Sequence, residues 1–457
     1  MIRVPARTQR RHGQDKLYRD VLDAMDAALA AADPARIIKR HLRLDGPTLR
    51  ADGLRFPLKK YRRIIVIGGG KASGYMAEEV ERLLGKWITK GLVIVPDYQL
   101  PRPVGHRITY RPASHPIPTR RGMQSVLAML ELVDDVSRND LVLFLISGGG
   151  SALMPLPVQG ISLRDEADVT SLLLTSGASI DEINTVRKHL SQIKGGRLAE
   201  RLYPATILSL IISDVVGDKI DAIASGPTAP DPTTFHDAAS VLQKYDLWSR
   251  IPKRARKLIA DGVEGSMPDT PKKESRAFNH VHNLVVGNNR QSCSVAAAAM
   301  KKAGYKTQIL STQITGEARE AGQIFGSIVR DIRENSLPFA PPAALVAGGE
   351  TTVRVLGNGI GGRNQEFVLA AAMKISGSGG VAVGSFATDG IEGQTDAAGA
   401  IADGRTVARG RKLGMIADEF LRNNDSYHYF SRLKDLVVTG PTGTNVNDIM
   451  ILAVAES

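Results

Sequence analysis

Apolar residues recur at helical spacing through Leu17, Val21, Leu22, Met25 and Ala28, so the stretch from Leu17 to Leu42 is expected to form an amphipathic helix. The pattern then changes. A β-branched run, Ile64 to Ile67, meets Gly68-Gly69-Gly70-Lys71, a helix-patterned stretch follows to Leu84, and a second apolar run occupies Leu92 to Val95. Strand, glycine loop, helix and strand make a βαβ unit, which requires parallel pairing with a right-handed crossover. The plan recurs where Leu141 to Ile146 enters Ser147-Gly148-Gly149-Gly150-Ser151, and where Thr206 to Ile212 enters Ser213-Asp214.

The segment Ser225 to Pro232 carries three prolines and is expected to be irregular loop. Lys253 to Phe278 is polar and weakly periodic, and a domain boundary is expected there, dividing the chain into residues 1–275 and 276–457. A second α/β series should begin with Asn283 to Val286 and a helix from Val295 to Ala303. Further strands are expected at Lys306 to Leu310, Ala343 to Ala347, Val381 to Ala387, Leu436 to Thr439 and Ile449 to Val454. Three of these strands meet loops rich in glycine: Gly348-Gly349-Glu350, Thr388-Asp389-Gly390 and Gly440-Pro441-Thr442-Gly443-Thr444-Asn445. In open α/β sheets ligands sit outside the carboxyl ends of the strands, so two α/β domains with these loops facing one cleft are expected.

Composition narrows the functional classes. At 457 residues the length allows two or three domains of roughly 150 residues. Glycine is plentiful, at 45 residues, while aromatics are only 5%, which favours glycine loops at strand ends and argues against a surface for stacking nucleic-acid bases. The formal charge of +12 favours anionic partners. Part of it lies in a basic N-terminal arm of Arg3, Arg7, Arg10, Arg11, His12 and Lys16, which lacks the apolar core of a secretory signal. No run approaches the ~18 apolar residues that span a bilayer. One cysteine, Cys293, excludes an intramolecular disulfide and a cysteine-based metal cluster. The expectation is a cytoplasmic protein with no nucleic-acid or membrane partner.

The first glycine run fits neither the P-loop spacing nor the GxGxxG fingerprint, because Ser73 stands where the third glycine belongs. What Gly68, Gly69 and Gly70 offer is close approach of an anion, with Lys71 as a cation at the mouth of the loop. Ser147, Gly148, Gly149, Gly150 and Ser151 offer a second nest for phosphate or carboxylate. A helix from Ile183 to Leu202 should carry Arg187, Lys188, Ser191 and Lys194 on its polar face, with Arg187 or Lys188 as anion-binding candidates against the ordinary reading of a solvated face. Asp214, Glu350 and Asp389 follow predicted strands, and such isolated acids suit Mg²⁺ held together with phosphate oxygens better than a dense metal cage. Arg363 opens a helix whose dipole prefers anions at that end, and a residue held against local preference points to function. Nine histidines include no HExxH pair, and His115, in Ser114-His115-Pro116-Ile117-Pro118, reads as a packed or surface histidine. No GxSxG elbow is present, which disfavours serine hydrolase chemistry.

Taken together, Gly68 to Gly74, Ser147 to Leu153, Ile183 to Ser191, Ile212 to Asp218 and Ala224 to Thr228 resemble the class II glycerate kinase family. So do Gly348 to Val353, Gly361-Gly362-Arg363-Asn364-Gln365-Glu366 and Ala387 to Gly393, which resemble its MOFRL region. The resemblance covers nearly the whole chain from Leu17 onward. It implies an α/β fold of two domains, the first a Rossmann-like parallel sheet sandwiched by helices and the second a smaller mixed α/β domain, with the active site in the cleft between them. It also implies ATP- and Mg²⁺-dependent phosphorylation of D-glycerate to 2-phosphoglycerate. By motif, the family's functional lysine falls on Lys71, its arginine on Arg363, and its acids on Asp214 and Asp389, which would hold Mg²⁺ or accept the hydroxyl proton. The alternatives are a hydroxypyruvate reductase using NAD(P)H, as some relatives are described, or a non-catalytic protein that binds sugar acids. A homodimer is the assembly considered.

Overall fold

The computed structural model describes residues 16–98 and 105–456. Of the basic arm, only Lys16 falls among them; its ammonium pairs with Asp20 at 2.8 Å and donates to the Ala303 carbonyl at 3.1 Å. The chain forms two compact units, residues 37–286 and residues 16–36 together with 287–456. No helix among the described residues is long and apolar enough to cross a membrane.

The unit 37–286 opens with a small antiparallel meander, β1 (Leu42–Asp45), β2 (Thr48–Ala51) and β3 (Leu54–Pro57). Its main sheet contains β4 (Arg63–Gly69), β5 (Lys90–Pro96), β6 (Ile108–Ala113), β7 (Asp140–Ser147), β8 (Thr206–Ile212) and β9 (Val281–Gly287), in the order β6-β5-β4-β7-β8-β9. The registers from β6 to β8 are parallel. Every residue of β7 is buried, as a central parallel strand covered on both faces requires. Alternate residues Ile65, Ile67, Val142, Phe144, Ile146, Ile207 and Ile211 share one core with Val126, Met129 and Leu130 of the helix Arg120–Glu131 and with Leu198 and Leu202 of the helix Arg197–Leu202. The helix Ser73–Leu84, between β4 and β5, packs against β5 and β7. Gly69 pairs with Ile146, and Ser147 with Ile212, so the carboxyl ends of β4, β7 and β8 lie side by side.

The other unit holds a mixed sheet of β10 (Lys306–Ile314), β11 (Ala343–Gly349), β12 (Val381–Ala387), β13 (Gly399–Asp403), β14 (Leu436–Val437) and β15 (Asp448–Val454), ordered β10-β11-β15-β12-β13-β14. The last strand of the chain enters the middle of this sheet, antiparallel to both neighbours. Asp448 therefore stands opposite Gly349 of β11 and Ala387 of β12. On one face the helix Lys16–Ala31 buries Val21, Ala24, Met25 and Ala28 against Ala344, Val346, Phe386, Ile449 and Ile451. On the other, the helices Ala318–Asn335 and Arg363–Lys374 cover Leu345, Ala347, Val383, Met450 and Leu452.

Several elements differ from the periodicity reading. The expected helix from Leu17 to Leu42 divides, because Pro34 starts a new helix, Pro34–His41, and Leu42 already belongs to β1. The expected helix from Ile183 to Leu202 ends at His189 and restarts at Arg197, since Gly195 and Gly196 take left-handed φ values of +57° and +83° between the pieces. Asn283 to Val286 lies in β9, the edge strand of the first sheet, so it closes one series where the second was expected to open. The polar stretch after Lys253 contains the helix Lys253–Val263, which buries only Ala255, Leu258 and Ile259. The chain passes between units near residue 36 and again near residue 286, so its N-terminal helix is counted with the C-terminal sheet.

Candidate functional site

In the unit 37–286 the loops after β4 and β7 lock together because only glycine fits between them. Gly70 has a φ of +149°, and a Cβ there would come within 2.7 Å of the Ser147 carbonyl oxygen and 2.8 Å of its amide nitrogen. The Lys71 amide donates to the Gly148 carbonyl at 2.9 Å, and the Ala72 amide to Ser147 Oγ at 2.9 Å. A Cβ on Gly148 would overlap the Asp214 carboxylate. One on Gly149, whose φ is +78°, would stand 3.0 Å from the His115 ring and 3.3 Å from Lys71 Cγ. Lys71, Asp214 and His115, which follow β4, β8 and β6, thus border the backbone of Gly148 and Gly149. Lys71 and Asp214 were expected as site residues, the one at its own glycine loop and the other past its strand. His115 was expected to be merely packed or surface-exposed; its signal in the sequence was its place on a proline-braced loop just past the strand that ends at Ala113.

Not every expected ligand group is available. Ser147 is closed to solvent and spends its hydroxyl on the Ala72 amide, with Ser73 Oγ at 3.3 Å. Ser151 Oγ lies 2.8 Å from Ser225 Oγ, which donates to Asn184 Oδ1 at 3.0 Å. These hydroxyls join elements to one another, and the loop's offering to a ligand is its glycine backbone. Gly68 and Gly69 are packing glycines: a Cβ on the first would meet the Leu145 backbone and one on the second would lie 2.5 Å from Met154 Sδ. Gly150 presses against Ala224. Lys188 is buried, and its ammonium pairs with Asp221 at 3.0 Å and Asp231 at 3.3 Å, so its charge is neutralised within the protein and it is no free anion site. Arg187 differs: its Nε is enclosed with no hydrogen-bond partner.

In the other unit the sheet gathers a second cluster. Arg363 donates from Nε to Asp448 Oδ2 at 2.6 Å, from Nη2 to Asp448 Oδ1 at 2.9 Å, and from Nη1 to Glu350 Oε1 at 2.9 Å. Arg363 and Glu350 were both expected; the buried Asp448, which joins them, was not. Glu392, distant in sequence, caps the start of the helix Arg363–Lys374: its carboxyl oxygens accept from the Asn364 and Gln365 amides. Burial pushes the Glu392 carboxyl up to about 8, with the Asp448 charge adding to the effect. Burial likewise raises Asp448 to about 6, against the pull of Arg363. Arg363 itself is held above its ordinary range; burial opposes this, but the Asp448 carboxylate outweighs it. Asp389 follows β12 in a loop tied to Gly440 to Asn445: Thr442 donates its hydroxyl to the Thr388 carbonyl at 2.6 Å, and its amide to the Asp389 carbonyl at 3.2 Å.

The family model for a domain of unknown function, DUF4147, matches residues 20–260, and the MOFRL family model matches residues 343–448. The D-glycerate 2-kinase of Thermotoga maritima is 42% identical over 438 residues, covering 96% of this chain and 98% of that protein. This chain belongs to the glycerate kinase family. The glycerate 2-kinase of Pyrococcus horikoshii is 43% identical, with 94% of this chain and 95% of that protein aligned. The crystal structure of the Thermotoga maritima glycerate kinase matches with a TM-score of 0.84 at 41% identity, covering 96% of this chain and 99% of that one. A protein of Agrobacterium vitis described as a putative hydroxypyruvate reductase is 40% identical over 94% of this chain and 92% of its own length.

Among the described residues of this glycerate kinase family member, no three His, Cys, Asp or Glu side chains gather in a way that could hold a metal ion. A Mg²⁺ ion carried by a nucleotide needs no such cluster, because it takes one or two carboxylates and completes its shell with phosphate oxygens and water. Asp214 and Asp389 are single carboxylates of this kind, each just past the carboxyl end of a strand.

Proposed function

We propose that this protein transfers the terminal phosphoryl group of ATP to a hydroxyl of D-glycerate, giving 2-phosphoglycerate and ADP. The observation that carries the reading is the convergence of Lys71 and Asp214 on the Gly148-Gly149 backbone, a cation and an acid at an anion-sized glycine loop. Full-length similarity to proteins named glycerate 2-kinase supports the substrate and the position phosphorylated.

Phosphoryl transfer asks a protein mainly for positioning and for cations around the moving charge. Lys71 and Arg363 are the cations assigned to the triphosphate and the transferring group. The glycine amides of the 148–150 loop hold phosphate oxygens as a backbone nest does. Asp214 and Asp389 divide two tasks between them, holding Mg²⁺, which would neutralise phosphate charge when bound with the nucleotide, and accepting the glycerate hydroxyl proton. The new bond joins that hydroxyl oxygen to the γ-phosphorus as the bond to the ADP oxygen breaks. Arg363 enters with its charge partly answered by Glu350, whose side chain is 43% exposed, so a nucleotide anion can replace Glu350 while Asp448 keeps its hold.

Oxidation of NAD(P)H with hydroxypyruvate is the second reading, because relatives of similar identity carry that description. The glycine loop after β4 is no dinucleotide fingerprint, since Ser73 replaces the third glycine, and the GxGxxG spacing of Gly357, Gly359 and Gly362 does not directly follow a strand. A coupled assay separates the two. Formation of ADP only when D-glycerate is present, with product accepted by an enzyme specific for 2-phosphoglycerate, is expected. NADH consumption with hydroxypyruvate in the absence of ATP, and no ADP, would overturn the kinase reading. Turnover with neither, despite tight binding of D-glycerate, would leave a binding protein.

A further inference from the structure

The helices Leu163–Thr175 and Ile180–His189 and the turn after the second bring two charged side chains into the interior of the unit 37–286, and leave a third half-buried near them. Lys194 is 1% exposed, and its ammonium lies 3.0 Å from Oε1 of Glu166, itself 4% exposed. Arg187 is the third. Its Nε and the second oxygen of Glu166, Oε2, are both enclosed without hydrogen-bond partners. Burial lowers the pKa of Arg187, with Glu166 opposing the shift; burial lowers Lys194 as well, with Arg187 adding to it. Glu166 is thus spent on Lys194, and Arg187 has an enclosed Nε with no acceptor and no acid within ion-pair distance among the described residues. An enclosed guanidinium nitrogen without an acceptor is costly, and it marks Arg187 as a cation whose partner is still to be met.

The place of Arg187 matters. Asn184 precedes Arg187 by three residues on one helix, a spacing that puts side chains about 5–6 Å apart on the same face. Asn184 Oδ1 accepts from Ser225 Oγ, which in turn contacts Ser151 Oγ. Ser151 belongs to the glycine loop that Lys71, His115 and Asp214 border. The side of the helix that carries Arg187 is thereby tied to the candidate site by two hydrogen bonds. Lys188, the next residue, is already neutralised by Asp221 and Asp231, and Arg187 is the cation left for a ligand.

We propose that Arg187 takes the carboxylate of the acceptor substrate, and that the Glu166–Lys194 pair is a positioning device that holds its guanidinium in place. Arg187 is then the residue that makes this enzyme select small hydroxycarboxylic acids over neutral polyols. The assignment rests on the reading of D-glycerate as acceptor, and it adds which group recognises the acid end. A guanidinium suits the task because its planar donors match a carboxylate's two oxygens, a geometry that lysine cannot reproduce.

The test uses the full chain and measures equilibrium binding of D-glycerate, lactate and glycerol by calorimetry, for the wild type, Arg187→Met and Arg187→Lys. Thermal unfolding accompanies each. Wild-type protein should bind the two acids and not glycerol, and Arg187→Met should lose at least ~10-fold in acid affinity, the loss typical of a charged hydrogen bond. If Arg187→Met does not fold, Arg187→Lys decides: KM for D-glycerate should rise at least ~5-fold with KM for ATP unchanged. A folded Arg187→Met that binds D-glycerate like the wild type, equal shifts of both KM values in Arg187→Lys, or a wild type that binds neither acid would each overturn the proposal. Loss of inorganic phosphate binding in Arg187→Met with acid binding intact would assign the residue to phosphate and would overturn it too. Acid binding that depends on Arg187 without any phosphorylation would uphold this site while ending the kinase reading.

Discussion

The carboxylate of Asp448 accepts from both Nε and Nη2 of Arg363, at 2.6 and 2.9 Å, from the first residue of the last strand. The two residues lie 85 positions apart in the chain. Asp448 is fully buried and Arg363 partly so, and the fork of the guanidinium meets the acid along two parallel bonds. Removing the acid leaves a cation in a poorly hydrated place with only Glu350 at hand. Asp448→Ala should therefore lower unfolding free energy by about 3 kcal/mol, the scale of a broken buried pair. Chemical denaturation checks this; an unchanged midpoint would mean that the pair does not anchor the site.

Lys71 and Arg363 are the cations assigned to the transferring phosphoryl group. Substituting either by alanine should reduce kcat/KM at least ~10²-fold, or about 2.7 kcal/mol of transition-state stabilisation. Steady-state kinetics with D-glycerate and ATP provide the comparison. Rates near wild type in both variants would remove them from the mechanism.

Glu392 gives the protein a pH dependence opposite to that of most carboxylates. Its pKa rises on folding to about 8 from the ordinary value of 4.5, so between those values the folded state holds a proton that the unfolded state has released. Stability from this group is complete below about pH 4.5 and declines as pH rises toward 8, by at most about 1.4 kcal/mol per pH unit. Asp448, raised to about 6, acts in the same direction over a lower window. Glu392→Gln should flatten the stability profile between pH 5 and 8, as read by urea unfolding at several pH values. An identical slope in variant and wild type would contradict it.

Gly148 leaves no room for a methyl group, because a Cβ there would overlap the Asp214 carboxylate. Gly148→Ala should push Asp214 aside and reduce kcat at least ~10-fold, while the melting temperature shifts by only a few degrees, in keeping with a steric change confined to one loop. Kinetics and calorimetry on the same preparation separate the two effects. Full activity in a folded variant would dissociate Asp214 from the reaction.

Much of this site is legible before any coordinates. Alternation of apolar runs with glycine loops marks Gly70, Lys71, Gly148 and Asp214 as residues at the ends of parallel strands, and β8 begins and ends where its apolar run does. Periodicity fails where charge and burial part company. Lys188 and Lys194 read as members of a solvated face, yet both are buried, because acids from distant segments, Asp221, Asp231 and Glu166, meet them. Asp448 escapes notice because the search attends to residues after strands, and this one begins a strand.

The chain's own pattern determined the strands β4, β5, β7 and β8, that glycine loops follow β4 and β7, and that Lys71 would sit at the first of them, since these follow from neighbours in sequence and the handedness of a βαβ crossover. Tertiary structure alone decided that β15 runs antiparallel between β11 and β12, which brings Asp448 to Glu350 and Arg363. It decided as well which cations find an acid and which, like Arg187, keep an enclosed donor without a partner. Charge neutralisation depends on distances of a few ångströms between residues far apart in the chain, and no local periodicity encodes those distances.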